Sequence, residues 1–135
     1  MVFVSLIGKY VTAQKEADNW IVGSWAGLNF NTGSPVIWFP VIPPLSNRFC
    51  NGTIMSDSLG NLLFCSNGNS VWNKLGEVMD NGDSLKPGTC WTQAAVAFPK
   101  PGEMNQYYLF TVAGWNLPEG IYYSVIDMSR NGGLG

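Results

Sequence analysis

The chain has 135 residues, about one small domain's worth, with 46% hydrophobic and 12% charged residues and a formal charge of −2. This composition argues against disorder, and the acidic balance argues against the basic face that a nucleic-acid partner demands. Histidine is absent, which removes Ser-His-Asp and Cys-His catalysis, His-ligated zinc and imidazole acid–base chemistry.

Six Trp, seven Phe, five Tyr, sixteen Gly and eight Pro suit short strands separated by turns. No long window repeats apolar residues at helical spacing, so an all-β fold is expected. At the N-terminus, residues 1–8 (MVFVSLIG) are apolar but too short to span a bilayer. Val11, Thr12 and Ala13 then offer the modest side chains that a signal peptidase reads. Residues 1–13 therefore read as a clipped secretory signal peptide, its basic leader missing, with an N-terminal strand as the alternative. The signal reading implies an extracellular or cell-surface location for residues 14–135.

Short strands are expected around Trp20 to Val22 and Gly27 to Phe30, then in an apolar run at 35–42 that Pro40 interrupts and Pro43-Pro44 ends. Residues 54–72 (IMSDSLGNLLFCSNGNSVW) read as three strands joined by two tight turns. Asp57 opens the first turn by bonding the backbone ahead of it, Gly60 relieves the steric cost of its fourth position, and Asn67-Gly68-Asn69 forms the second. Residues 75–89 read as a long connection. Strands at 91–98, 107–112 and 121–126 form another meander, with Phe64 and Phe110 in comparable central strands. An offset in the forties of residues is about the period of propeller blades. The expectation is antiparallel meanders forming part of a β-propeller of about two blades, incomplete, with the Gly-rich residues 131–135 leading onward.

With a turn at 57–60, Cys65 is expected nearly opposite Gly52, so a bridge to Cys50 would be diagonal and poorly shaped. Cys50, Cys65 and Cys90 read instead as small buried apolar residues. A glycosidase would need two carboxylates about 5–10 Å apart flanking a sugar. Asp57 is better explained as a turn former, and its surroundings miss the S-x-D-x-G spacing of a sialidase-type Asp box. Asp80-Asn81-Gly82-Asp83 reads as a turn, lacking the remaining ligands of a calcium loop. No cofactor or metal site is expected. Tryptophans usually fill space between sheets, yet they also stack on sugars. Trp115, between Gly114 and Asn116, and Trp25 are the candidate binding residues.

Read in order, further segments carry a family resemblance. Trp20 with residues 26–35 (AGLNFNTGSP) is similar to "W-x-F-G-x-x-A-G-L-D-F-x-x-G-x-P", and residues 56–64 (SDSLGNLLF) to "S-D-x-x-G-N-L-L-F". Residues 92–102 match "T-Q-S-x-x-x-x-P-K-P-G" loosely, 107–112 (YYLFTV) resemble "Y-Y-I-F-T-V", and 123–135 resemble "Y-S-x-V-D-M-S-x-N-G-G-L-G". This ordered set resembles the N-terminal propeller-like region of large secreted Bacteroidetes surface proteins. The chain departs from that pattern at 36–48, which is more apolar, and at Cys65, where an aromatic is usual.

The resemblance implies a cell-surface multidomain protein with PKD-like repeats and a gliding-motility or type IX secretion module further along. It carries no catalytic residues across. The expected role is a non-catalytic binding or scaffold module in adhesion, with glycans, surface proteins or the remaining blades of the same polypeptide as partners. It is not expected to span a membrane. The alternative is a fragment of an extracellular carbohydrate-active enzyme whose catalytic residues lie in missing blades.

Overall fold

The computed structural model describes residues 15–22, 26–38, 52–86, 95–112 and 120–135. The proposed signal segment, Cys50, Cys90, Trp25, Trp91 and Trp115 lie outside them. The described residues form three three-stranded antiparallel sheets, each in simple chain order. The first sheet joins β1 (Asn19–Val22), β2 (Ala26–Asn29) and β3 (Val36–Trp38); a single 3-10 turn at Lys15–Ala17 leads into it. The second joins β4 (Thr53–Ser56), β5 (Leu62–Ser66) and β6 (Val71–Asn73). The third joins β7 (Ala95–Pro99), β8 (Gln106–Val112) and β9 (Ile121–Asp127). The all-β expectation holds, and no described helix is long and apolar enough to cross a membrane. The count of two meanders is corrected to three sheets, because the short strands β1 to β3 pair into a sheet of their own.

The turn chemistry read from the sequence closes the second sheet. Asp57 Oδ1 accepts from the amides of Leu59 at 2.9 Å and Asn61 at 2.8 Å, while its Oδ2 accepts from Asn61 Nδ2 at 2.9 Å. Gly60 sits at φ 84°, a conformation that glycine adopts without steric cost. Asn67 Oδ1 caps the second turn by accepting from Asn69 and Ser70, both at 2.9 Å. A β-bulge between Met55 and Ser56 shifts the register beyond the first turn. Cys65 pairs with Ile54, two residues from the expected Gly52: the bulge supplies one residue of the shift, and the first turn supplies the other by pairing Ser56 with Leu62 instead of Asn61; the thiol is free and fully buried.

The long connection after β6 is also partly ordered onto the sheet. Asn73 turns the chain, accepting at Oδ1 from the amides of Leu75 and Glu77. The chain then runs back along β6: Met79 N donates to Val71 O at 3.0 Å, Val71 N donates to Gly82 O at 2.6 Å, and Trp72 bridges Val78. The second sheet thus gains a rudimentary fourth strand on its outer edge.

The strands of the second sheet send side chains to both neighbours, with the alternation interrupted in β5 by the bulge. Ile54, Leu62, Cys65 and Trp72 pack toward Ile21 of the first sheet. Met55, Phe64 and Val71 pack toward Ala95, Tyr107, Leu109 and Ile126 of the third. The second sheet is therefore a filling between the other two. The first strands also adjoin one another, β1 against β4 and β4 against β7. Two polar ties fix this order. Asn19 Nδ2 donates to Ser56 Oγ at 2.9 Å and to Gly60 O at 2.7 Å, and the amide of Ala97 donates to Thr53 Oγ1 at 3.1 Å. Asn29 and Asn31 extend the first tie, donating to Asn19 Oδ1 and Gly60 O respectively.

Candidate docking face

The third sheet is apolar on both sides. Along β8 (QYYLFTV), Tyr107, Leu109 and Thr111 alternate with Tyr108, Phe110 and Val112. The first set is buried against the second sheet; Leu109 has no exposure. The second set faces away, together with Val96 and Phe98 of β7 and Ile121, Tyr123 and Val125 of β9.

Strand register arranges these residues into cross-strand rows. Val96, Phe110 and Tyr123 form one row; Phe98, Tyr108 and Val125 form the next; Val112 pairs with Ile121 beyond them. Cross-strand neighbours on one face lie close enough to interact. Phe98 and Phe110 stack at 5.4 Å with planes 11° apart. Tyr108 meets Phe98, Phe110 and Tyr123 edge-on at 5.9, 6.0 and 6.0 Å, and Tyr123 leans on Phe110 at 6.0 Å.

Four rings therefore interlock on a face that remains open: Tyr123 is 66% exposed and Phe98 41%. A contiguous apolar patch of this kind is uncommon on a free-standing soluble surface. One end is closed by polar groups. Lys100 Nζ donates to Gln106 Oε1 at 2.7 Å, Gln106 Nε2 donates to Asp127 Oδ2 at 3.4 Å, and Arg130 lies 3.7 Å from the same carboxylate. Bonds from the Ser129 hydroxyl and amide, with Gln106 and Arg130 adding to them, hold the Asp127 carboxyl below its usual range despite slight desolvation.

The ring geometry favours a particular kind of ligand. Sugar stacking needs a ring face turned outward, whereas here Phe98 and Phe110 cover each other and Tyr108 stands on edge. The resulting surface is ridged, like the face of a sheet awaiting another layer.

The other features offer less. A cavity of 590 Å³ between Val71, Met79, Gly82 and the end of β9 includes Asp80, Asp127 and Arg130 on its wall. Another, of 530 Å³, runs beside the first strands and is lined by Asn19, Thr53 and Ala97 among others. Among the described residues, no group of three or more His, Cys, Asp or Glu side chains is placed to hold a metal. Asp57 is engaged in its turn, as its sequence context anticipated. Trp72 is buried against the first sheet, in the space-filling role expected of most tryptophans here. The sequence-based binding candidates Trp25 and Trp115 fall outside the described residues. The open face of the third sheet is not among the sequence-based candidates; its signal in the sequence is the run 106–112, with apolar groups on both parities. Comparison with family models, with curated proteins and with solved structures finds no match to this chain.

Proposed function

We propose that this chain is a non-catalytic binding or scaffold module of a secreted or cell-surface protein, built on a propeller-like arc of sheets. It engages protein surfaces through the outer face of β7, β8 and β9. The observation that carries this reading is the interlocked Phe98–Tyr108–Phe110–Tyr123 cluster, solvent-facing on a sheet whose other side buries Ala95, Tyr107, Leu109 and Ile126 in the core. The arc is supported by sheets stacked face to face in chain order with their first strands adjoining, and by the extra outer strand on the second sheet. Secretion and an adhesive setting rest on the resemblance and on the signal-like residues 1–13.

The test is to probe arrays of glycans and extracellular proteins with the chain and with Tyr123→Glu, while assaying polysaccharides for released reducing sugar. Protein binding that is lost in the variant, without sugar release, is expected. Sugar release would overturn the non-catalytic reading. Binding indifferent to Tyr123→Glu would remove this face from the role.

A further inference from the structure

Three Asn-Gly pairs lie wholly within the described residues: Asn67-Gly68, Asn81-Gly82 and Asn131-Gly132. Asparagine is one of the thermolabile residues, and before a glycine it can react with its own backbone. The glycine nitrogen attacks the asparagine side-chain carbonyl, unobstructed because glycine has no Cβ. Two freedoms are needed. The glycine nitrogen must not be held by an acceptor, and the carboxamide must be able to turn toward it.

The fold treats the three pairs differently. Asn67-Gly68 is locked on both counts: Gly68 N donates to Ser66 Oγ at 3.0 Å, and Asn67 Oδ1 accepts from the Asn69 and Ser70 amides at 2.9 Å. Both residues are buried. Asn81-Gly82 is locked at the nitrogen. Asn81 is exposed, but Gly82 is buried; its N donates to Met79 O at 2.8 Å, and its O accepts from Val71 N at 2.6 Å. Asn131-Gly132 has neither restraint. Both residues are exposed, at φ 48° and 65°, in a turn closed around them by Gly133 N donating to Arg130 O at 2.9 Å. Among the described residues, neither Gly132 N nor the Asn131 carboxamide has a hydrogen-bond partner.

We infer that Asn131 is a site of spontaneous covalent modification in the native chain. Gly132 N bonds to Asn131 Cγ, and the carboxamide nitrogen leaves as ammonia, taking the proton that Gly132 N gives up. A cyclic succinimide then joins the two residues. Water opens it at either carbonyl, giving aspartate or isoaspartate at position 131. Nothing is oxidised or reduced, and water is the only co-reactant. The product sets a carboxylate next in sequence to Arg130, whose Nε lies 3.7 Å from Asp127 Oδ2. In the isoaspartate form the main chain also runs through Cβ, which lengthens the turn by one methylene.

Freeing either locked glycine nitrogen first breaks a hydrogen bond, a cost of at least about tenfold in rate. The experiment is to incubate the chain at mildly alkaline pH, native and in denaturant, and to map its peptides by mass. A protease that cuts before aspartate separates the three pairs through its cuts at Asp57, Asp80 and Asp127. In the native chain, Asn131 is expected to convert at least about tenfold faster than Asn67 and Asn81. In denaturant the three rates should converge.

A native chain in which Asn131 converts no faster than the other two, or not at all, would overturn the proposal. Rates that stay equally far apart in denaturant would also sink it, because local sequence and not the fold would then set them. Aspartate formed at position 131 without any isoaspartate would indicate direct hydrolysis and remove Gly132 from the reaction.

Discussion

The rings of Phe64 and Tyr107 meet edge to face at 5.4 Å with planes 75° apart, joining the central strands of the second and third sheets. Phe64 is fully buried, so Phe64→Ala is expected to cost about 3–5 kcal/mol by urea unfolding. In a double-mutant cycle with Tyr107→Leu, the pair should couple by about 0.5–1.5 kcal/mol. Additivity of the two would mean that the ring contact adds nothing beyond burial.

Gly60 is constrained twice, by its φ of 84° and by Asn31, whose Oδ1 stands where a Cβ would go. Gly60→Ala is expected to cost at least about 1 kcal/mol. Asn31→Ser removes the steric part but also the bond that Asn31 donates to Gly60 O, so the backbone part is read as the cost of Gly60→Ala within the Asn31→Ser background. That cost should be smaller than in the wild type but not zero in thermal melts; no remaining cost would assign the whole effect to the clash.

Asp57 links folding to acid. Desolvation opposes its ionisation, but the bonds from the Asn61 side chain and from the Asn61, Leu59 and Gly60 amides outweigh it and lower the carboxyl below its ordinary value of 3.8. A group depressed in the folded state stabilises fully above its unfolded value and loses that contribution as pH falls through the folded one. Melting temperature should thus drop on acidification below about pH 4, and less steeply in Asp57→Asn, which keeps one acceptor oxygen for the Leu59 and Asn61 amides, gives up the bond from Asn61 Nδ2, and does not titrate. Parallel curves for the two proteins would exclude Asp57 as a source of the acid sensitivity.

Burial pushes the Cys65 thiol up to about 12 and leaves it no exposure. A thiol reagent at mildly alkaline pH should label the native chain and Cys65→Ala to the same extent, with one additional thiol in the wild type appearing only in denaturant. An extra label on the native wild type would show that the first and second sheets separate readily.

The second sheet was the most legible part of the sequence, because Asp57, Gly60 and Asn67 act through local bonds that sequence position alone determines. Its bulge at Met55 and Ser56 was not legible, since a one-residue slip changes partners without changing composition. The return of residues 77–82 along β6 was hidden by Gly and Asp, which read as loop; its hydrogen bonds are backbone bonds that leave little trace in residue type. Grouping β1, β2 and β3 into a separate sheet depends on pairing between segments, which spacing does not encode. The docking face escaped for a different reason. Tyr107 and Tyr108 are neighbours of the same type with opposite fates, and only the packing of the second sheet decides which is covered.

The mutual contacts among Phe98, Tyr108, Phe110 and Tyr123 also bear on kinetics. Rings already wedged against one another have few rotamers left to lose, so docking on this face should freeze little side-chain motion. If a partner docks here as proposed, association is expected without a slow adjustment phase, and the lifetime of the complex, more than its rate of formation, should carry the differences between partners.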